Sequence, residues 1–177
     1  LDYRYGTSNG ECNMKILISK IFTVILVVIS LAGHAFADGT FFVVRHAEKQ
    51  DGDNPVLTQQ GVKRATHIMN MLKNEPIKAV FSTETYRTVM TAMPTAADHE
   101  LPIVLFSTED LPDFSKKLKA MDGTFLIVAH SSSTPELAAL LSKIPLPKLD
   151  EMDYEKLFKV VTKDGSSKLI KMITTLE

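Results

Sequence analysis

Cysteine is nearly absent: Cys12 is the only one in 177 residues, and it lies ahead of the segment expected to fold. Neither a disulfide framework nor a cysteine-based zinc site is therefore available. Glycine and proline are also scarce, eight of each, which excludes collagen-like and low-complexity chains. An excess of either charge is missing as well. The formal net charge is -1, and lysines such as Lys116, Lys117 and Lys119 have acids nearby, so no broad nucleic-acid footprint is expected. Nor is there an apolar run of the roughly 20 residues that a membrane-spanning helix needs. What remains, with 45% hydrophobic residues, suits one ordinary globular domain.

Residues 15–20 carry two lysines, residues 21–32 are almost wholly apolar, and Ala35-Phe36-Ala37 forms a small-x-small site. Those are the three parts of a secretory signal peptide, predicted over residues 14–37 with cleavage after Ala37. The expected destination is the periplasm or exterior of a bacterial cell, with no membrane association once the peptide is removed. Residues 1–13 lack periodicity and precede a plausible start at Met14, so they are left unassigned. The folded domain is expected to be residues 38–177.

Past Asp38, short β-branched runs alternate with helical patterns, which predicts an α/β three-layer sandwich with a mostly parallel central sheet and helices on both faces. Residues 40–44, 79–81, 103–106 and 125–129 read as buried parallel strands because they are continuously apolar. A helix capped by Thr58 is predicted to Leu72, with Val62, Ala65, Ile68, Met69 and Leu72 on one apolar stripe. A second helix is expected from about Thr85, disturbed at Pro94. A third, over residues 112–121, turns Phe114, Leu118 and Met121 inward and its lysines outward. The last is expected to have Thr134 as cap and Pro135 at its first position. Residues 157–162 and 168–174 flank Lys163-Asp164-Gly165, a hairpin signal that adds antiparallel edge strands.

Four polar residues fall at predicted strand exits, where an open parallel sheet places its ligand crevice: Arg45, His46, Arg87 and His130. The expected domain has only three arginines, and two stand there. Phosphoryl transfer to a side chain needs a nucleophile, cationic forks for the phosphate oxygens, and donors that strengthen in the transition state. A neutral imidazole at His46 supplies the first, Arg45 and Arg87 the second, and His130, held protonated by a bound anion, a further donor. Backbone amides of the helix after Thr134 would point at the same crevice. His46, Glu48 and His130 are also metal-ligand types. No H-E-x-x-H spacing accompanies them, and two adjacent arginines would repel a cation, so no metal and no cofactor are expected. His67 and His99 are read as a helix-face and a loop residue.

Val43-Val44-Arg45-His46-Ala47-Glu48-Lys49 resembles the R-H-G or R-H-A-E-K signature of the histidine phosphatase (phosphoglycerate mutase-like) superfamily. Further similar segments are Leu57-Thr58-x-x-Gly61, Phe81-Ser82-Thr83 through Arg87-Thr88, Thr91-Ala92, and Val128-Ala129-His130-Ser131 with Thr134-Pro135. Residues 154–162 are similar to the closing strand of small exported bacterial members. The resemblance implies His46 as the phosphorylated nucleophile, with Arg45, Arg87 and His130 as phosphate ligands, and a small phosphorylated substrate. Two departures are present: Ala129 stands where the family commonly has Gly, and Ser132 where small exported members often have Asn, changes that narrow or rewire the pocket. The acid for the leaving group is expected after the third strand, at Glu109 or Asp110, with Glu48 a further candidate; capping and solvated surface are the alternative readings. The expected activity is a metal-independent phosphomonoesterase. A phosphohistidine-specific phosphatase and a non-catalytic phospho-ligand-binding protein are alternatives, whereas a mutase is disfavoured for lack of long insertions.

Overall fold

The computed structural model describes residues 37–176. Residues 1–13 and all of the expected signal peptide except Ala37 lie outside the described residues. In chain order the elements are β1 (Gly39–Arg45), α1 (Gln59–Leu72), β2 (Ile77–Ser82), α2 (Tyr86–Asp98) and β3 (Ile103–Leu105). There follow α3 (Leu111–Lys119), β4 (Gly123–Ala129), α4 (Ser133–Ser142), β5 (Lys156–Lys163) and β6 (Ser166–Ile173). The sheet order is β3-β2-β4-β1-β5-β6. Strands β1 to β4 run parallel, and β5 and β6 are antiparallel. This is the expected three-layer α/β sandwich.

The apolar runs of β1 and β4 are continuous because side chains alternate between two covered faces. Phe41, Val43, Phe125 and Ile127 pack with Leu118 of α3 and with Leu137 and Leu141 of α4. Phe42, Val44, Leu126 and Val128 meet Ile68 and Leu72 of α1 and Ala92 and Ala96 of α2 on the other face. Each such burial contributes roughly 1.5–3 kcal/mol, so these two central strands anchor whatever their ends carry.

Local chemistry sets how the helices meet the sheet. Thr58 caps α1, its Oγ1 accepting from the Gly61 amide at 3.0 Å. A Cβ at Gly61 would run into the Glu48 carbonyl; only glycine lets the first turn of α1 sit directly on the loop leaving β1. Helix α2 runs through Pro94 to Asp98 rather than breaking there, because Thr91, Ala92, Thr95 and Ala96 are buried on both sides of it.

Several expectations are corrected. Helix α4 begins at Ser133 with Ser132 as its cap residue, not with Thr134 as cap and Pro135 first. The Ser133 hydroxyl accepts from His130 N at 3.0 Å, and Thr134 N donates to the His130 carbonyl at 2.9 Å. The chain is thus wound into helix almost as it leaves β4. Strand β3 is not buried: it pairs only with β2 at the sheet edge, leaving Val104 and Leu105 44% and 59% exposed. Of the hairpin only β6 is an edge strand, since β5 sits between β1 and β6. Val62 and Met121, expected inward, are exposed, and Lys119, expected outward, turns its Nζ to the Leu140 carbonyl.

Candidate active site

Strand register assembles the site. Arg45 of β1 is level with Ala129 of β4, and Ser82 of β2 with Val128. The next residues along these three neighbouring strands are His46, His130 and Thr83, so all emerge at the same end of the sheet. His46 N donates to the Ala129 carbonyl at 2.9 Å, and the two imidazoles stand edge to face with centroids 5.7 Å apart. Arg87 enters from the first turn of α2. Its helix is tied to the loop leaving β1 through Thr91, whose hydroxyl donates to the Arg87 carbonyl at 2.6 Å and accepts from Ala47 N at 2.9 Å.

His46 is buried, and Nδ1 lies 2.8 Å from the Ala47 carbonyl. A carbonyl can only accept, so Nδ1 carries the proton. Burial, opposed by that hydrogen bond and reinforced by the charges of Arg45 and Arg87, pushes the His46 pKa down to about 3. The ring is therefore neutral at ordinary pH and its Nε2 lone pair is free. Burial and the same two arginines, Arg87 the stronger, push His130 down to about 4. Its Nε2 lies 3.0 Å from the Thr83 hydroxyl, which in turn donates to Thr88 at 2.9 Å. A Thr83 oxygen that has spent its proton on Thr88 accepts from His130 Nε2–H.

Arg45 is 2% exposed. Its Nη1 donates to the carbonyls of Asp150 and Glu151, both at 2.9 Å, and Nη2 to the Glu151 carboxylate at 3.3 Å. The guanidinium carbon lies 4.3 Å from the Tyr154 ring centroid, a cation–π contact. Among the described residues neither Arg45 Nε nor Arg87 Nε, both buried, has a hydrogen-bond partner. Unpaired buried donors cost about 1–3 kcal/mol each, a cost that a phosphate oxygen would offset.

The carboxylates divide by position. Asp110 spends Oδ1 on Asp113 N at 2.9 Å, capping α3. Burial alone would raise the Glu48 pKa, but hydrogen bonds from Arg64 outweigh it and hold the group low and ionised. Arg64 Nε reaches both Glu48 oxygens at 2.9 and 3.0 Å, and Nη2 reaches Oε1 at 2.6 Å. Glu109 alone of the three lines the cleft of about 480 Å³ that His130 opens onto, with Thr83, Glu84, Thr85 and Ser107. A larger groove of about 620 Å³ runs beside α4 past Pro135, Leu140 and Ile144. It holds none of the four strand-exit residues, whereas the smaller cleft is lined by one of them, His130. Among the described residues no group of three or more His, Cys, Asp or Glu could hold a metal ion.

Two acidic residues beside the candidate site were not singled out from the sequence. Glu84 follows Ser82 at the β2 exit, and the strand-exit criterion that selects Arg87 would have found it. Glu151 belongs to a loop without periodicity, and nothing in the sequence brings it to Arg45.

Residues 41–115 match the model of the histidine phosphatase superfamily (branch 1). No curated protein matches the sequence significantly. Among solved structures, the protein histidine phosphatase SixA complexed with tungstate is similar at a TM-score of 0.64 and 18% identity, covering 76% of this chain and 97% of that one. A mycobacterial glucosyl-3-phosphoglycerate phosphatase gives 0.58 and 12%, covering 79% and 100%. A phosphoserine phosphatase mutant from Entamoeba histolytica, in complex with phosphoserine, gives 0.52 and 15%, covering 77% and 98%. At these identities the likeness is one of fold.

Proposed function

From a chain whose fold is that of the histidine phosphatase superfamily and whose residues 41–115 match its model, we propose a metal-independent phosphatase that works through a phosphohistidine on His46. One observation carries this reading: a neutral His46 with Nδ1–H fixed on Ala47 and Nε2 free, close enough to Arg45 and Arg87 for both to depress its pKa.

The substrate phosphate docks on Arg45, Arg87 and His130. His46 Nε2 attacks phosphorus, the N–P bond forms, and the P–O bond to the leaving group breaks with its electron pair going to oxygen. Of the carboxylates offered as acid, Glu109 is the one in the cleft, and it gives that oxygen its proton. Water then attacks phosphorus, the N–P pair returns to Nε2, and the water proton restores Glu109. The net change is ester plus water to alcohol plus phosphate. In the empty site the arginines keep His130 neutral. A bound phosphate dianion offsets their charge and favours the imidazolium, which then serves as a donor.

Because Asp110 and Glu48 are committed elsewhere, a second reading is a phosphatase confined to good leaving groups such as phosphohistidine. Export remains part of the proposal, on the strength of residues 14–37. N-terminal sequencing of the product from a secreting host tests it, with a mature terminus at Asp38 expected.

The decisive experiment is turnover of para-nitrophenyl phosphate by residues 38–177 with EDTA present, beside His46→Ala. Chelator-resistant turnover and an acid-labile phosphoenzyme, both lost in the variant, are expected. Equal turnover in the variant would sink the mechanism.

A further inference from the structure

The cleft beside His130 has a charge pattern that the phosphoryl chemistry does not use. Glu84 and Glu109 line it together with the hydroxyl residues Thr83, Thr85, Ser107 and Thr108, and no lysine or arginine does. Glu84 and Glu109 are exposed, and among the described residues neither forms an ion pair. The nearest basic residue along the adjoining groove is Lys117, whose ammonium is paired with Asp113 at 2.8 Å. The site is thus polarised. Of the four strand-exit residues His130 alone borders this cleft, and beyond His130 the lining is carboxylates, hydroxyls and the apolar Leu105 and Phe106.

We infer that the enzyme selects phosphomonoesters whose leaving group carries a positive charge, such as phosphorylated amino alcohols, and that Glu84 is the specificity-determining residue. The inference rests on the phosphatase reading and names its substrate class. Two arguments lead to it. Glu84, joined by Glu109 once that residue has given up its proton, repels an anionic leaving group and attracts a cationic one. An ammonium near the ester oxygen also makes the departing alkoxide a weaker base, which suits a site where one exposed carboxylate stands as acid and the other two are committed to Asp113 N and Arg64.

The test compares kcat/KM for O-phosphoethanolamine and 2-phosphoglycolate, monoesters of similar size and opposite leaving-group charge, in the wild type and in Glu84→Gln. Dividing the wild-type ratio by the variant ratio cancels the intrinsic reactivity of the two esters. The amine is expected to be preferred about tenfold, the size of a few exposed charge interactions in water. The ratio should fall about threefold in Glu84→Gln, and further as salt rises from roughly 0.1 to 1 M and screening shortens. A ratio that neither the variant nor salt moves overturns the charge selection. Turnover of para-nitrophenyl phosphate separates the two claims. Where it depends on His46 but the amine shows no preference, only the selection fails; where it is absent, the phosphomonoesterase reading fails and the selection with it.

Discussion

On the proposed mechanism His46 must keep the lone pair that attacks phosphorus, and burial beside two guanidinium groups keeps it. The pH consequence follows. The neutral form of an imidazole at its ordinary pKa would fall about twenty-five-fold between pH 7 and pH 5. With His46 at about 3 and His130 at about 4, kcat/KM should instead show no histidine-dependent fall until near pH 4. A limb centred near 6.5 would contradict that. The same depression has a stability cost with a definite sign. Between 6.5 and about 4 the unfolded chain takes up protons that the folded one refuses, so stability is full above 6.5 and declines as pH drops through this window. At Arg45 the competing anion is internal: the Glu151 carboxylate, 84% exposed, lies 3.3 Å from Nη2. Glu151→Gln should tighten inhibition by inorganic phosphate two- to threefold, about what an exposed ion pair is worth. Weaker inhibition would mean that Glu151 holds the guanidinium in place.

Among the elements, α1 does most to fix the loop that carries His46, through Gly61 against Glu48 and through Arg64. Arg64 is 3% exposed and joins Glu48, after β1, to the Thr174 carbonyl, just past β6. One side chain thereby ties a helix to both ends of the strand order β1-β5-β6. Removing Arg64 alone leaves the part-buried Glu48 carboxylate with no counterion. Arg64→Met should lower stability by about 3–5 kcal/mol, read from urea unfolding, and Arg64→Met with Glu48→Leu should recover much of it. A double variant as unstable as the single one would locate the loss in packing rather than in the charge. Periodicity found α1 to its last residue but had no means of seeing this tie, because its three members lie in separate parts of the chain.

Across the whole molecule, protection should follow the sheet order. Strands β1 and β4 are paired on both sides and covered on both faces, whereas β3 and β6 have a free edge. In hydrogen exchange the amides of residues 42–44 and 125–128 should open only with global unfolding, and those of β6 well before. Uniform protection across the six strands would refute that ordering.

Much of this architecture was legible in residue order. Doubly covered strands must be continuously apolar, so β1, β2 and β4 announce themselves, and Arg45, His46, Arg87 and His130 stand out as polar residues where those runs stop. Edge position left no such mark: residues 103–106 are as apolar as a central strand, and only the sheet order exposes Val104 and Leu105. The start of α4 was misplaced because the Ser133 hydroxyl turns back to the His130 amide, a contact that a cap preference at Thr134 and Pro135 does not encode. Sequence by itself determined the residue types and their place at strand ends, because backbone periodicity and burial act locally. Tertiary structure alone decided which carboxylates are spent on Arg64 and on the α3 cap, that Glu151 and Tyr154 reach Arg45, and that both histidines are neutral, because those depend on charges and dielectric brought together from distant parts of the chain.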